Sequence, residues 1–290
     1  MKVALRGYLE LLRPPNVVTA IADVLAGYAV AGRGHGSRLP WLLAATVCLY
    51  AGGVVLNDYC DRALDASERP ERPIPSGRVT ARAAGTLGAV LLVAGVFLAF
   101  GATIAAGAVA MGLAACIIVY DGRAKRHAFA GPLVMGSCRG LNLVLGMAAV
   151  PAAITEHGGL ALLPLVYIAA VTMVSRGEVH GGRKPIAAAA LAALGGVAVA
   201  LAMIAVRSGS PAIPALAIVA ALAWRVGPPF VAVFGDPRPA VIRRAVKAGV
   251  LSLVLLDAAL SAAYAGPLYA AVVLATALVA GSLARLFSVT

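Results

Sequence analysis

The chain has 290 residues, of which 61% are hydrophobic and 12% are charged, and its formal net charge at pH 7 is +12. Soluble domains normally carry about 25% charged residues, so this composition excludes an ordinary water-soluble protein. Apolar runs of about twenty residues, the length that a helix needs to cross a bilayer, recur along the whole chain. The sequence therefore predicts an all-α polytopic membrane protein, a bundle formed by one domain of residues 1–290.

Ten apolar runs are predicted as membrane helices, which gives nine or ten spans. The count depends on Gly266-Pro267, which is either a tight turn between two spans or a break inside one region. The predicted helices cover approximately residues 15–32, 40–58, 81–101, 103–121, 131–150, 160–177, 185–206, 211–234, 243–264 and 267–287. The first run is long enough to span the bilayer and is interpreted as a true helix, not as a cleaved signal.

Basic residues are concentrated in every second loop, after predicted helices two, four, six and eight. They are Arg69, Arg72, Arg78 and Arg82; Arg123, Lys125 and Arg126; Arg176, Arg183 and Lys184; and Arg238, Arg243, Arg244 and Lys247. The positive-inside rule predicts that these loops and the N-terminus are cytoplasmic. Topology thus explains most of the excess charge, which is not interpreted as nucleic-acid binding. The Ala-, Gly- and Arg-rich composition suggests a bacterial inner membrane.

Two pairs of polar residues fall inside predicted spans. Asn16 and Asp23 are seven residues apart on helix one and share a face, and Arg139 and Asn142 are three apart on helix five. Ionisable residues within a membrane are costly to bury and are functional candidates by default. The alternative for Asn16 and Asp23 is an interhelical hydrogen bond, and the predicted partner of Arg139 is a phosphate or the aspartates of helix two. Asp257 has no evident partner, which leaves a packing hydrogen bond and a site role both open.

The end of helix two carries the most informative motif, Asn57-Asp58-Tyr59-Cys60-Asp61-Arg62-Ala63-Leu64-Asp65. On a helix, Asn57, Asp61 and Asp65 are four residues apart and are predicted to share one face, with Asp58 beside them. Carboxylates so close repel one another unless a cation lies between them, and magnesium with phosphate oxygens suits the arrangement. The arginines downstream, Arg72 among them, could hold the phosphates. The alternative is a charged helix end followed by a solvated loop.

Two further polar loops contribute candidates. In Tyr120–Arg126, Lys125 or Arg126 could contact phosphate, and Tyr120 or Asp121 could contact a second substrate; the alternative is a basic loop that only sets topology.

The segment Ser175–Arg183 carries one carboxylate. Glu178 could complete a magnesium site opposite Asp61, and Arg176 is a candidate for substrate binding. His180 is interpreted as a base, a ligand or simply a loop histidine.

These motifs resemble the UbiA superfamily of intramembrane prenyltransferases. The resemblance covers Arg13-Pro14-Pro15-Asn16, Asp23 with Gly27, the aspartate motif of helix two, Arg72-Pro73-Ile74-Pro75-Ser76-Gly77 and the loop Tyr120–Arg126. It implies a helical bundle around a central cavity, a magnesium-bound isoprenyl diphosphate, and transfer of its prenyl group to an acceptor. By this resemblance Asn57, Asp61 and Asp65 hold magnesium and diphosphate, and Arg72, Lys125 and Arg126 contact the diphosphate.

The second motif departs from the family pattern, in which several aspartates commonly follow helix six. Here Ser175, Glu178 and Gly182 stand in that region, and only Glu178 is a carboxylate. The runs SRGEVHGG and GSCRGLNLVLG are more similar to the EboC-like branch. The predicted function is magnesium-dependent prenyl transfer to an unidentified acceptor in secondary-metabolite or lipid biosynthesis, with Asp61, Glu178 and Arg139 as catalytic candidates.

The mechanism expected from this resemblance has magnesium and arginines stabilise the diphosphate leaving group. If the acceptor is a hydroxyl, Glu178, His180 or Asp121 could take its proton. Two other hypotheses stay open: a non-catalytic binder or transporter of a prenyl-linked lipid, and a structural subunit whose aspartates can be replaced without harm.

Overall fold

A computed structural model describes residues 2–32, 36–283 and 285, and within these ranges the secondary structure is helical with no strand. The α-helices are α1 Lys2–Leu12, α2 Pro14–Val30, α3 Leu39–Glu68, α4 Ala81–Ala102, α5 Ile104–Gly122, α6 Ala130–Met147, α7 Ala152–His157, α8 Leu162–Ser175, α9 Lys184–Arg207, α10 Ala212–Gly235, α11 Pro239–Ala265 and α12 Pro267–Leu283. Short 3-10 turns precede α3, α6 and α8. The all-α prediction is confirmed.

Seven helical segments in the described part of the chain are long and apolar enough to cross a membrane. They contain α3, α4, α5, α7 with α8, α9, α10 and α11. The predicted count of nine or ten spans is therefore not confirmed, although each of the ten predicted apolar runs overlaps a helix; residues 284, 286 and 287 of the last run lie outside the described residues. Three of the predicted runs lie outside the seven: α2 and α12, which have 17 residues each, and α6, which carries Arg139 and Asn142.

Local chemistry explains where several helices begin. Proline occupies the first turn of α2, α3, α9 and α11, where its missing N–H leaves no hydrogen bond unmade. The side chains of Thr80 and Thr103 cap α4 and α5 by accepting from the backbone N–H of Ala83 and Ala106, at 3.2 and 2.9 Å. Gly266 has φ 85° and separates α11 from α12, so the helix is interrupted at Gly266-Pro267, but α12 is not among the seven candidate spans and a turn between two spans is not confirmed.

α2 and α6 lie in the interior of the bundle. Fourteen of the seventeen residues of α2 are buried, and this helix packs against α3, α6, α11 and α12. α2 and α6 approach closely where Gly27 faces the backbone of Leu143 and Gly146 faces the backbone of Val24. The core of the second half is built from α8, α9, α10 and α11. The polar residues of α2 and α6 are thereby held at the centre of the molecule.

α1 packs across the end of α3 and the segment that follows it. Leu11 is fully buried against Val55, Val79 and Ala84. Arg78 donates to Glu10 across a 2.5 Å ion pair. These contacts fix the junction between α1 and α2 beside the aspartate motif.

Candidate active site

The aspartates at the end of α3 separate into two groups. Asp58 and Asp65 are both buried, and both accept from arginines. Arg13 donates through Nη2 to Asp58 Oδ1 at 2.6 Å. Arg72 donates through Nη1 to Asp65 Oδ2 at 2.8 Å and to Asp58 Oδ1 at 3.3 Å. Two arginines thus neutralise the two buried carboxylates of this group.

Asn57 and Asp61 face α5 instead. Asn57 donates through Nδ2 to Asp121 Oδ1 at 2.7 Å. Lys125 Nζ lies 2.7 Å from Asp61 Oδ1 and 3.8 Å from Asp121 Oδ1. The second group therefore joins the end of α3 to the end of α5.

The predicted common face of Asn57, Asp61 and Asp65 does not hold for Asp65, because Asp65 shares its partner Arg72 with Asp58. At 3.6 residues per turn, residues four apart drift by about 40°, so Asp65 is displaced about 80° from Asn57. Residues seven apart are displaced by only about 20°, which puts Asp58 and Asp65 in line.

Among the residues that the structure describes, no three His, Cys, Asp or Glu side chains stand close enough to hold a metal ion by themselves. The carboxylates are held by Arg13, Arg72 and Lys125 instead. Asp61 keeps 26% of its side chain exposed, against 6% for Asp58 and 7% for Asp65. Carboxylate and amide oxygens together with phosphate oxygens are the ligands that magnesium prefers, so this donor set fits a magnesium-bound diphosphate.

Arg13 is the residue of this site that the sequence reasoning did not assign a role, although it belongs to the Arg13-Pro14-Pro15-Asn16 entry. Its φ of 45° is in the left-handed region, and no other described non-glycine residue shares a positive φ. A conformation of this kind costs about 1–3 kcal/mol and persists only where surrounding contacts hold it. Here the hydrogen bond to Asp58 and the packing of α1 hold it.

The loop after α5 is tied to the end of α8. Arg176 donates through Nη1 to the carbonyl oxygen of Lys125 at 3.0 Å and through Nη2 to that of Arg126 at 3.4 Å. Tyr120 is half-buried, and the charges of Asp61 and Arg176 act on its hydroxyl. The Arg126 side chain is exposed. Arg176, predicted to bind substrate, thus supports the loop that presents Lys125.

Glu178 lies between α8 and α9, where Arg243 donates to its carbonyl oxygen at 3.0 Å. Its side chain is half-buried, and this burial raises the pKa of the Glu178 carboxyl above its usual value, while the charges of Arg69 and Arg243 oppose the rise. Arg69 directly follows α3, so Glu178 belongs to the same end of the bundle as the aspartate motif. His180 is exposed.

A second polar cluster lies deeper in the bundle. Arg139 donates through Nη1 to Asp23 Oδ2 at 2.8 Å and through Nη2 to Thr19 Oγ1 at 2.8 Å, and its guanidinium lies 4.9 Å from the Tyr50 ring centroid. Asn142 donates to Asp23 Oδ2 at 2.9 Å. Arg139 was predicted to face a phosphate or the aspartates of α3, but its ion-pair partner is Asp23.

This deep cluster extends across three helices. Thr46 of α3 donates to Asn142 Oδ1 at 2.7 Å, and Asn142 donates to the carbonyl oxygen of Ala20 at 2.8 Å. Asn16 is buried between the two clusters, and its carbonyl oxygen accepts from Thr19. Sequence reasoning missed Thr19, Thr46 and Tyr50, because uncharged polar residues are common in membrane helices; the spacing of Thr19 between Asn16 and Asp23 was the available signal.

Residues 20–232, which include both clusters except Arg13, Asn16 and Thr19, match the family model described as the UbiA prenyltransferase family. The chain belongs to this family. The resemblance drawn from the sequence motifs is therefore confirmed at the level of the UbiA family.

Relatives of this UbiA protein include two named digeranylgeranylglyceryl phosphate synthases. The one from Methanothermobacter thermautotrophicus is 35% identical over 141 residues, which cover 48% of this chain and 49% of the relative. The one from Methanothrix thermoacetophila is 38% identical over 150 residues, which cover 51% and 56%. The chain spans about half the length of these curated relatives. The names of these relatives do not support the prediction that this chain belongs to the EboC-like branch.

Solved structures share the fold. A UbiA homolog from Archaeoglobus fulgidus bound to GPP and Mg²⁺ has a TM-score of 0.67 and 14% identity, over 88% of this chain and 99% of that one. The apo structure of a UbiA homolog from Aeropyrum pernix K1 has a TM-score of 0.63 and 15% identity, over 90% and 98%. At these identities the likeness establishes the UbiA fold alone.

Proposed function

We propose that this protein is an intramembrane prenyltransferase that moves a prenyl group from a magnesium-bound isoprenyl diphosphate to a hydroxyl of a glycerol-phosphate lipid. One observation carries the proposal: four carboxylates, Asp58, Asp61, Asp65 and Asp121, are gathered with three cations at one end of the bundle of a UbiA-family protein. An isolated cluster of this kind would be an ordinary ion-pair network. In a complex of magnesium and diphosphate, the metal ion would bind the carboxylates and the phosphate oxygens would bind the cations.

Arg13, Arg72 and Lys125 are the side chains that bind the diphosphate. A guanidinium has five N–H donors, so Arg72 can donate to phosphate oxygens while it keeps a carboxylate partner. Asp61 and Asn57 would hold magnesium, with Asp58 and Asp65 close by. When bound, magnesium supplies charge stabilisation to the diphosphate leaving group. Asp61 is the leading ligand because it is the most exposed carboxylate of the motif.

The names of the relatives support a glycerol-phosphate acceptor and favour lipid biosynthesis over a secondary-metabolite route. Transfer to a hydroxyl breaks the C–O bond between the prenyl carbon and the diphosphate. It forms an ether and releases diphosphate and one proton. A base must take that proton, and the helices around the site keep water from competing with the hydroxyl.

Glu178 is the base that we assign, and its pH behaviour provides a test. Because burial raises the pKa of its carboxyl, Glu178 is protonated at a higher pH than an ordinary glutamate, whose pKa is about 4.3. The transfer rate should fall as the pH is lowered through this raised pKa. Glu178→Gln should lower the rate by about 100-fold and remove the acidic limb of the profile. Rates at saturating donor across mildly acidic and neutral pH measure both effects.

His180→Gln is the matched control for this prediction, because His180 is two residues away and exposed. It should keep the wild-type profile. If Glu178→Gln retains the acidic limb, the assignment to Glu178 is wrong and Asp121 becomes the next candidate for the base.

Hydrogen bonds between the polar loops support a site at the cytoplasmic side of the membrane. Arg176 binds the carbonyl oxygen of Lys125, Arg243 binds that of Glu178, and the N–H of Gly182 donates to the carbonyl oxygen of Pro237. These bonds gather three of the basic loops at one face, which the positive-inside rule assigns to the cytoplasm. The relatives named above are archaeal, so a bacterial inner membrane rests on composition alone.

The function is tested by incubating the purified protein in nanodiscs with geranylgeranyl diphosphate and geranylgeranylglyceryl phosphate. We expect magnesium-dependent release of diphosphate and formation of an ether, both lost in EDTA. Binding of the donor without release of diphosphate in the presence of any glycerol-phosphate lipid would favour the non-catalytic lipid binder. Absence of binding would leave the structural-subunit hypothesis.

A further inference from the structure

A group of three charged side chains lies in the interior of the bundle, away from the carboxylates of α3. Asp23 of α2 and Asp257 of α11 are fully buried, and Arg139 of α6 is 6% exposed. Each belongs to a different helix, and α2 packs against both α6 and α11. The proposed prenyl transfer assigns no role to Asp257.

The hydrogen bonds around the two carboxyl groups are incomplete. Asp23 Oδ2 accepts from Arg139 and Asn142, at 2.8 and 2.9 Å. Asp23 Oδ1 and both oxygens of Asp257 receive no N–H or O–H donor from the rest of the described chain. The two aspartates lie on facing helices, because their neighbours Ala22 of α2 and Ala258 of α11 pack in one buried cluster, and the two carboxyl groups interact with each other. Two ionised carboxylates have only acceptors, so a hydrogen bond between them requires one proton.

The net charge of Asp23, Asp257 and Arg139 also requires a bound proton. Two ionised aspartates with one guanidinium leave a net charge of −1, whereas one shared proton makes the group neutral. An uncompensated buried charge is costly in the interior of a protein, and more so in a helix bundle within a membrane. Two carboxyl groups close together share a proton for the same reason, since both cannot ionise.

Within the described ranges, Arg139 is the cation that acts on both carboxyl groups, and tyrosines of the helices packed against the pair donate to backbone carbonyl oxygens. On α8, Tyr167 donates to the carbonyl oxygen of Gly249. On α12, Tyr269 donates to that of Leu25. Arg225 of α10 is exposed, and α9 carries its basic residues, Lys184 and Arg207, only at its ends.

We propose that Asp23 and Asp257 form a proton-binding site within the membrane, holding one proton between them. Asp257 thereby acts as a positioning residue for Arg139. With the proton bound, the ionised carboxylate of Asp23 stays directed at Arg139, whose guanidinium remains against Tyr50 and Thr19. Loss of the proton would place a second negative charge beside Arg139 and draw the guanidinium away from Tyr50. The inference goes beyond the proposed prenyl transfer and does not depend on it.

Infrared spectroscopy of the purified protein in nanodiscs tests the proposal without any substrate. At about neutral pH the wild-type protein should show a carboxylic-acid C=O stretching band that shifts in D₂O. Asp257→Asn should remove the band, because its amide can donate to Asp23 and no proton is needed. Asp23→Asn should remove it as well. Asp236→Asn, at an exposed aspartate bound to Arg238, should leave it unchanged.

A second measurement distinguishes proton binding from mere packing. The folded wild-type protein keeps a proton that the unfolded chain loses above the ordinary pKa of aspartate, about 3.9. Its unfolding equilibrium constant in mixed detergent should therefore rise about tenfold more per pH unit than that of Asp257→Asn, until the pair itself ionises. A wild-type protein without an acid band at neutral pH overturns the proposal, and so does an Asp257→Asn variant with the wild-type band.

Discussion

Asp61→Asn should abolish magnesium-dependent binding of an isoprenyl diphosphate and lower prenyl transfer by about 100-fold to 1,000-fold, the usual cost of removing one charge-stabilising group. Asp61 is the most exposed carboxylate of the α3 motif, and its side chain pairs with Lys125 at 2.7 Å. An amide keeps the shape and the oxygen but removes the negative charge that magnesium requires. Binding of the donor with and without EDTA, followed by diphosphate release, measures both effects.

Asp236→Asn is a suitable control for Asp61→Asn, because Asp236 is an exposed aspartate paired with Arg238 outside the site. It should bind and turn over the donor like the wild-type protein. Normal activity in Asp61→Asn would show that the α3 carboxylates do not serve the metal. A variant that loses transfer but keeps magnesium-dependent binding would move Asp61 from holding the donor to the chemical step.

The fold was largely predictable, because hydropathy and turn residues report directly on helices in a membrane. Each apolar run overlaps a helix, and the helix is interrupted at Gly266-Pro267. The number of membrane-spanning helices was harder to predict from the sequence. α2 and α6 lie inside the bundle, where glycines and polar residues such as Arg139 replace the long apolar side chains that a lipid-facing helix needs. A hydropathy search finds helices that are apolar enough to face lipid, whereas α2 and α6 are largely covered by other helices.

The charged residues of the candidate site could be predicted, apart from Arg13, but their pairing could not. Helical spacing brought Asn57, Asp61 and Asp65 together in the sequence, yet the cations of other elements decide which way each side chain turns. Arg13 and Arg72 attract Asp58 and Asp65, and Lys125 attracts Asp61. Such contacts join residues up to 64 positions apart, as in the Asn57–Asp121 bond, and no local pattern encodes them.

Gly27→Val should prevent the protein from folding, as should Gly146→Val at the same helix crossing. A Cβ atom at Gly27 would overlap the carbonyl oxygen of Leu143, and one at Gly146 would overlap that of Val24. Both obstacles are backbone atoms, which cannot rotate away as a side chain can. We expect a loss of more than about 3 kcal/mol of stability, beyond the usual range for an overpacked core. Yield of monodisperse protein and unfolding in mixed detergent measure it.

Gly195→Ala is the control, since Gly195 is an exposed helical residue of α9, and a Cβ atom added there would meet no heavy atom within 4 Å beyond its chain neighbours and the backbone of its own helix. Gly195→Ala should change stability by no more than about 1 kcal/mol, and in the favourable direction, because alanine is the better helix former. Equal loss in Gly195→Ala and Gly27→Val would mean that glycine flexibility, and not close packing, matters in this bundle. Loss confined to the α2–α6 crossing ties stability to the helices that carry Asp23 and Arg139, so that the contact which holds the bundle together also brings the two charges within 2.8 Å.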